Sequence, residues 1–167
     1  MSFTLVLGGA RSGKSRHAEQ LIEAHVGPWT YIATAQAYDD EMRARIALHQ
    51  TRRLQGWITV DAPIALPQAI RDAHKQRAIL VDCLTLWLTN VMLSGADIEA
   101  ARADLLEACR AAAPPLVLVS SEVGFGIVPD NALARRFRDE LGSLNQALAR
   151  EAGHVVLTIA GLPLTVK

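Results

Sequence analysis

Phe3-Thr4-Leu5-Val6-Leu7-Gly8-Gly9-Ala10-Arg11-Ser12-Gly13-Lys14-Ser15 carries a short apolar run straight into a glycine loop and then into a helical pattern. Residues 8–15 fit G-x-x-x-x-G-K-[ST], in the strand, loop and helix order that this spacing needs in order to hold phosphates. The glycines let the backbone curl so that its N–H groups point inward, and the helix N-terminus adds partial positive charge. Lys14 reaches the outer phosphates and the Ser15 hydroxyl ligates Mg²⁺. Gly8, Gly9, Ala10, Arg11, Ser12, Gly13, Lys14 and Ser15 are therefore read as the binding loop for a nucleoside triphosphate.

Working outward from that loop, apolar runs rich in β-branched residues recur at 3–7, 30–33, 78–83, 116–120 and 155–160. Segments with helical periodicity lie at 14–25, 40–53, 65–74, 98–112 and 132–151. Alternating strands and helices predict an α/β fold, a mostly parallel sheet with helices on both faces. Ligands of such sheets collect at the carboxyl ends of the strands. The 167 residues, half of them apolar, suit a single domain over residues 1–167.

Seventeen basic and seventeen acidic residues cancel, so there is no basic field for a nucleic acid or a membrane surface. The N-terminal segment lacks a basic n-region and an apolar stretch of signal or membrane-span length, which predicts a cytoplasmic protein without a membrane span. Cys83 and Cys109 have no zinc-ligand spacing and read as reduced core thiols. Pro114-Pro115 reads as a turn between a helix and a strand.

Mg²⁺ held by a phosphate loop usually meets a carboxylate at the end of a neighbouring strand, and Ala78-Ile79-Leu80-Val81-Asp82 offers Asp82. The alternative is an aspartate capping the segment from Thr85 onward. Ala33, Thr34 and Ala35 follow the second strand, where small side chains admit a nucleotide but are also ordinary packing. Asp39 to Arg53 begins with acids and ends with bases, as a helix dipole favours. At 100° per residue, Arg45, His49, Arg52 and Arg53 fall within an arc of roughly 100°. That stripe is either a solvated basic face or a phosphate-holding surface on which neutral His49 attacks phosphorus. Spacing alone does not separate the two.

After the fourth apolar run comes Ser121-Glu122-Val123-Gly124-Phe125-Gly126-Ile127-Val128-Pro129. Glu122 stands at the carboxyl edge of the sheet, and the loop either covers a ligand or is a plain connection with Phe125 buried. The stretch 133–142 reads as an amphipathic helix, which makes its Asp-x-x-Gly incidental.

Taken together, residues 8–16, Tyr31-Ile32-Ala33-Thr34-Ala35, Asp39 to Met42 through Arg45-Ile46 to His49, residues 122–129 and Ala160-Gly161-Leu162-Pro163 resemble the adenosylcobinamide kinase/adenosylcobinamide-phosphate guanylyltransferase family. The resemblance covers nearly the whole chain. It implies a RecA-like P-loop fold, a homotrimer and two reactions on a corrinoid. Adenosylcobinamide is phosphorylated with ATP or GTP; then GTP gives GMP to a histidine, from which it passes on to form adenosylcobinamide-GDP. His49 matches the guanylylated histidine, and Gln50, Thr51, Arg52, Arg53, Asp61 and Asp82 match positions associated with GTP. Leu54, Asp61 and Ser121 depart from the proline, glutamate and asparagine common at those places, and Asp82 stands where some members have glutamate. Glu122 is a candidate base for the hydroxyl proton. Competing readings are a kinase without GMP transfer, and a GTP-dependent binding switch. The latter needs an Asn-Lys-x-Asp element, which Thr89-Asn90-Val91 does not supply.

Overall fold

A computed structural model describes residues 3–36, 55–73, 75–113 and 115–167. The elements run β1 (Thr4–Gly8), α1 (Lys14–Glu23), β2 (Trp29–Ala33), β3 (Trp57–Asp61), α2 (Leu66–Asp72), β4 (Ile79–Asp82), α3 (Leu84–Leu93), α4 (Ile98–Ala111), β5 (Leu116–Ser121), α5 (Ala132–Glu151), β6 (His154–Ile159) and β7 (Leu162–Thr165). The seven strands form one sheet in the order β3-β2-β4-β5-β1-β6-β7. All neighbours are parallel except β6 and β7.

Alternation along the central strands sends side chains to two cores. Leu5, Ile32, Ile79, Val81 and Leu118 pack with Leu66, Trp87, Leu105, Leu141 and Leu148 from α2, α3, α4 and α5. Val6, Tyr31, Leu80, Val117 and Val119 face Ala18 and Ile22 of α1. The α/β expectation with helices on both faces therefore holds, in the RecA-like P-loop arrangement. No helix of the described residues is long and apolar enough to cross a membrane.

Two helices start where a side chain can satisfy a free N–H. Asp97 Oδ1 accepts from Ala100 N at 3.1 Å and Asn131 Oδ1 from Ala134 N at 2.8 Å. The first helix differs: Gly13 precedes it in a left-handed conformation, φ 93°, with no side-chain cap. Its first N–H groups thus face the glycine loop.

The structure adds three elements to those the periodicity predicts. β3 is an edge strand with Ile58 and Val60 exposed, so its pattern lacks the buried apolar run. β7, Leu-Pro-Leu-Thr, is the opposite edge, where a proline is tolerated. α3 is apolar nearly all round and shows no polar face to give a helical period. The expected helix at 40–53 lies outside the described residues, as does Pro114.

Candidate functional site

The strand order brings the carboxyl ends of β1, β4, β5 and β6 to one edge. β1 sits between β5 and β6, and Gly8 aligns with Ser121 on one side and Thr158 on the other. The loop after β1 is held from β6. Thr158 Oγ1 donates to Leu7 O at 3.1 Å and lies 2.9 Å from Ser12 Oγ. Because the single Thr158 proton goes to the carbonyl, Ser12 is the donor of the second bond. Gly161 N donates to Ser12 O at 2.9 Å.

Gly161 reaches that carbonyl through the β6–β7 hairpin. Ile159 pairs with Leu162, leaving Ala160 and Gly161 as a two-residue turn with φ 51° and 83°. Positive φ at both positions is what a tight hairpin of this hand requires. The hairpin thus turns the Ala160-Gly161 pair into a brace for the loop.

This bracing dictates two glycines. A Cβ on Gly8 would lie 2.3 Å from Ser12 Oγ and 2.4 Å from Thr158 Oγ1. One on Gly13 would lie 3.1 Å from Gly161 Cα, at a φ that L side chains rarely adopt. Around Gly9 there is open space, so the room there is available to a ligand. Arg11 also has positive φ, 55°, and its side chain is exposed at the loop tip. Lys14 Nζ donates to Gly9 O at 3.0 Å, which sets the ammonium over the loop.

Asp82 ends β4, aligned with Ala33 of β2 and with Val119 of β5. Its Oδ2 accepts from the Tyr31 hydroxyl at 3.1 Å. The cap of α3 is Cys83, with no side-chain capping bond, so Asp82 is not the helix cap that its position also allowed. Burial pushes the Cys83 thiol up to about 11; the Asp82 charge adds to the rise and Lys14 opposes it. Lys14 and Asp82 thus influence the Cys83 thiol with opposite sign.

Thr34 is completely buried. Its hydroxyl is engaged by the Cys83 backbone, donating to Cys83 O at 2.6 Å and accepting from Cys83 N at 2.9 Å. Asn90 Nδ2 donates to Thr34 O and to Pro63 O, each at 2.9 Å. Thr34 thus shapes the edge rather than offering a hydroxyl to a ligand, while Ala33 and Ala35 are partly exposed beside it.

Glu122 N donates to Gly8 O at 3.1 Å, fixing the residue beside the loop. Asn145 Nδ2 donates to Glu122 Oε1 at 3.3 Å and to Ser121 O at 3.1 Å, while its Oδ1 accepts from Ser120 Oγ at 2.7 Å. The following loop is not folded inward: Phe125 is 80% and Ile127 97% exposed. The reading with Phe125 buried is set aside.

Asp61 ends β3, four strand spacings from β1, on the order of 19 Å. It is exposed and is not brought to the phosphate loop. His49, Gln50, Thr51, Arg52 and Arg53 lie outside the described residues. Thr158, Asn145 and Asn90 were missed from the sequence. The signal for the last two was a polar residue on an otherwise apolar helical stripe, between Leu144 and Leu148 and between Trp87 and Val91.

The donor set suits a small hard cation. Mg²⁺ takes few protein ligands, commonly a hydroxyl and a carboxylate, and keeps phosphate and water oxygens. Ser15 lies in the first turn of α1 and Asp82 closes β4. Among the described residues no cluster of three or more His, Cys, Asp and Glu forms a dedicated metal cage.

The family model described as cobinamide kinase / cobinamide phosphate guanyltransferase matches residues 4–166. The bifunctional adenosylcobalamin biosynthesis protein CobP of Pseudomonas aeruginosa is 48% identical over 166 residues, covering 98% of this chain and 96% of that protein. CobU of Escherichia coli, of the same description, is 41% identical over 179 residues and 98% of each chain. Among solved structures, the flagellar accessory protein FlaH of Methanocaldococcus jannaschii superposes with a TM-score of 0.58 at 11% identity, over 99% of this chain and 78% of its own. That last likeness concerns the fold alone.

Proposed function

The chain belongs to the cobinamide kinase / cobinamide phosphate guanyltransferase family, and we propose that one domain, residues 1–167, carries both steps through a phosphate-loop half and a histidine half. The chain is an enzyme of cobalamin biosynthesis with cobinamide kinase and guanylyltransferase activities. Its fold is that of nucleotide-binding P-loop proteins, and the nucleotides in this reading are ATP or GTP for the first step and GTP for the second.

In the kinase step the aminopropanol hydroxyl of adenosylcobinamide attacks the γ-phosphorus, and the bond to the bridging β,γ-oxygen breaks. The loop N–H groups and Lys14 hold the transferring and leaving phosphates, where most of the catalytic effect of such sites arises. Ser15 and Asp82 would hold Mg²⁺, which would supply charge neutralisation at the phosphates. Glu122, whose backbone N–H is bonded to Gly8 O, takes the hydroxyl proton in this reading.

In the second step His49 attacks the α-phosphorus of GTP and pyrophosphate leaves. The phosphate of the phosphorylated corrinoid then attacks that phosphorus, freeing the histidine and giving adenosylcobinamide-GDP. Gln50, Thr51, Arg52, Arg53 and Asp61 hold the GTP. Ala33 and Ala35 offer small side chains on the phosphate side, with buried Thr34 holding the strand end between them. A homotrimer in the cytoplasm completes the reading.

The observation that carries it is the phosphate loop braced by the β6–β7 hairpin beside Asp82. The test is product analysis by mass spectrometry after incubation with adenosylcobinamide, ATP, GTP and Mg²⁺. Adenosylcobinamide-GDP is the expected product. Accumulation of adenosylcobinamide phosphate alone, with GTP unconsumed, contradicts the two-step reading and leaves a kinase.

A further inference from the structure

We propose that Tyr31 is a positioning residue for the Asp82 carboxylate, aiming it at the metal that accompanies the nucleotide; this rests on the reading of Asp82 as a metal ligand. Tyr31 pairs with Leu80 in the β2–β4 register, and Asp82 lies two residues further along the same face. The phenol is long enough to cross that interval, and its hydroxyl donates to Asp82 Oδ2 at 3.1 Å.

The ring is held so that the hydroxyl has little choice. It is 4% exposed, within the cluster of Val6, Ile22, Leu80 and Val119. Trp57 meets it edge-on, ring centroids 5.9 Å apart and planes at 84°. Trp57 is itself anchored, its Nε1 donating to Glu23 Oε1 at 3.0 Å. A chain of contacts thus runs from the end of α1 through two aromatic rings to the carboxylate.

Packing alone does not account for a tyrosine here. The other buried members of this cluster are aliphatic or alanine, with Trp29, Trp57 and Cys83 packed against them, and a phenylalanine would fill the same space without a hydroxyl needing a partner. With Oδ2 bonded to the phenol, rotation about the Asp82 side chain is restrained and one oxygen is committed. Hydrogen bonds of this kind to a ligating carboxylate fix its orientation, and losing one commonly lowers metal affinity about tenfold or more.

The test compares wild type, Tyr31→Phe and Asp82→Asn. Mn²⁺ binding is followed by electron paramagnetic resonance in the presence of a non-hydrolysable ATP analogue, alongside analogue affinity without metal. Tyr31→Phe is expected to weaken Mn²⁺ about tenfold, to raise the Mg²⁺ concentration for half-maximal kinase activity similarly, and to leave metal-free analogue affinity and thermal unfolding near wild type. If Tyr31→Phe binds Mn²⁺ like wild type while Asp82→Asn does not, Tyr31 is packing only and the proposal fails. Equal losses of Mn²⁺ and metal-free analogue binding overturn it as well. Unchanged Mn²⁺ binding in Asp82→Asn removes the metal-ligand reading itself.

Discussion

Thr34 and Cys83 exchange two hydrogen bonds through one hydroxyl: Cys83 N donates to Thr34 Oγ1 at 2.9 Å, and Thr34 Oγ1 donates to Cys83 O at 2.6 Å. The exchange fastens the end of β2 to the end of β4, one residue past Asp82. It is a structural use of a threonine in the stretch Tyr31 to Ala35 that the family resemblance also draws on. Replacing Thr34 with valine keeps the volume and leaves the Cys83 N–H without that acceptor. A loss of about 1–3 kcal/mol of stability is expected, read from chemical denaturation. A fall below about 0.5 kcal/mol would mean that water or a shifted backbone replaces the hydroxyl.

Two neighbouring glycines should respond oppositely to alanine. Gly13→Ala places a side chain at φ 93° and 3.1 Å from Gly161 Cα, costing about 1–2 kcal/mol in backbone strain alone and weakening nucleotide binding. Gly9→Ala meets open space, so unfolding stability should stay within about 0.5 kcal/mol of wild type. If a ligand uses that space, nucleotide affinity nevertheless falls. Thermal unfolding with and without nucleotide separates fold from site.

Lys14 is expected to matter more for transfer than for folding. Its ammonium lies over Gly9 O, partly exposed, so Lys14→Ala should leave unfolding nearly unchanged. Kinase turnover should drop about 10²–10³-fold, the scale for removing one charge-stabilising donor. Steady-state kinetics with adenosylcobinamide and ATP provides the check. A change confined to KM would assign Lys14 to binding without transition-state stabilisation.

The two thiols make the protein sensitive to alkali. Burial pushes Cys109 up to about 12 and Cys83 up to about 11, against 9.0 for a free thiol. Between those values the unfolded chain has released protons that the folded chain retains. Stability from these groups is therefore full below about pH 9 and declines as pH rises through the folded values. Each thiol contributes at most about 1.4 kcal/mol per pH unit to that slope. Urea unfolding at pH 8 to 11 should show the decline, and Cys109→Ala should flatten it. An identical slope in the variant contradicts the assignment.

The phosphate loop was legible because its chemistry is local: a strand, eight residues and a helix suffice. Asp82 was legible for a similar reason, an acid closing a continuous apolar run. The brace was not, because Thr158 and Gly161 meet the loop only after the sheet places β6 beside β1. β3 and β7 escaped since edge strands need only one apolar face, and α3 escaped because burial nearly all round erases its period. Tyr31 lay in plain view as part of a matched stretch, yet its bond to Asp82 depends on a register between strands that are not consecutive.

In the proposed second step GMP passes through His49. Incubating the protein with GTP labelled at the α-phosphate, denaturing it under mild alkali and separating it from free nucleotide measures this directly. Label retained on the wild-type chain, lost on acid treatment as a phosphoramidate bond requires, and absent from His49→Ala is the expected result. An unlabelled wild-type chain that still makes adenosylcobinamide-GDP, or equal labelling of His49→Ala, contradicts it.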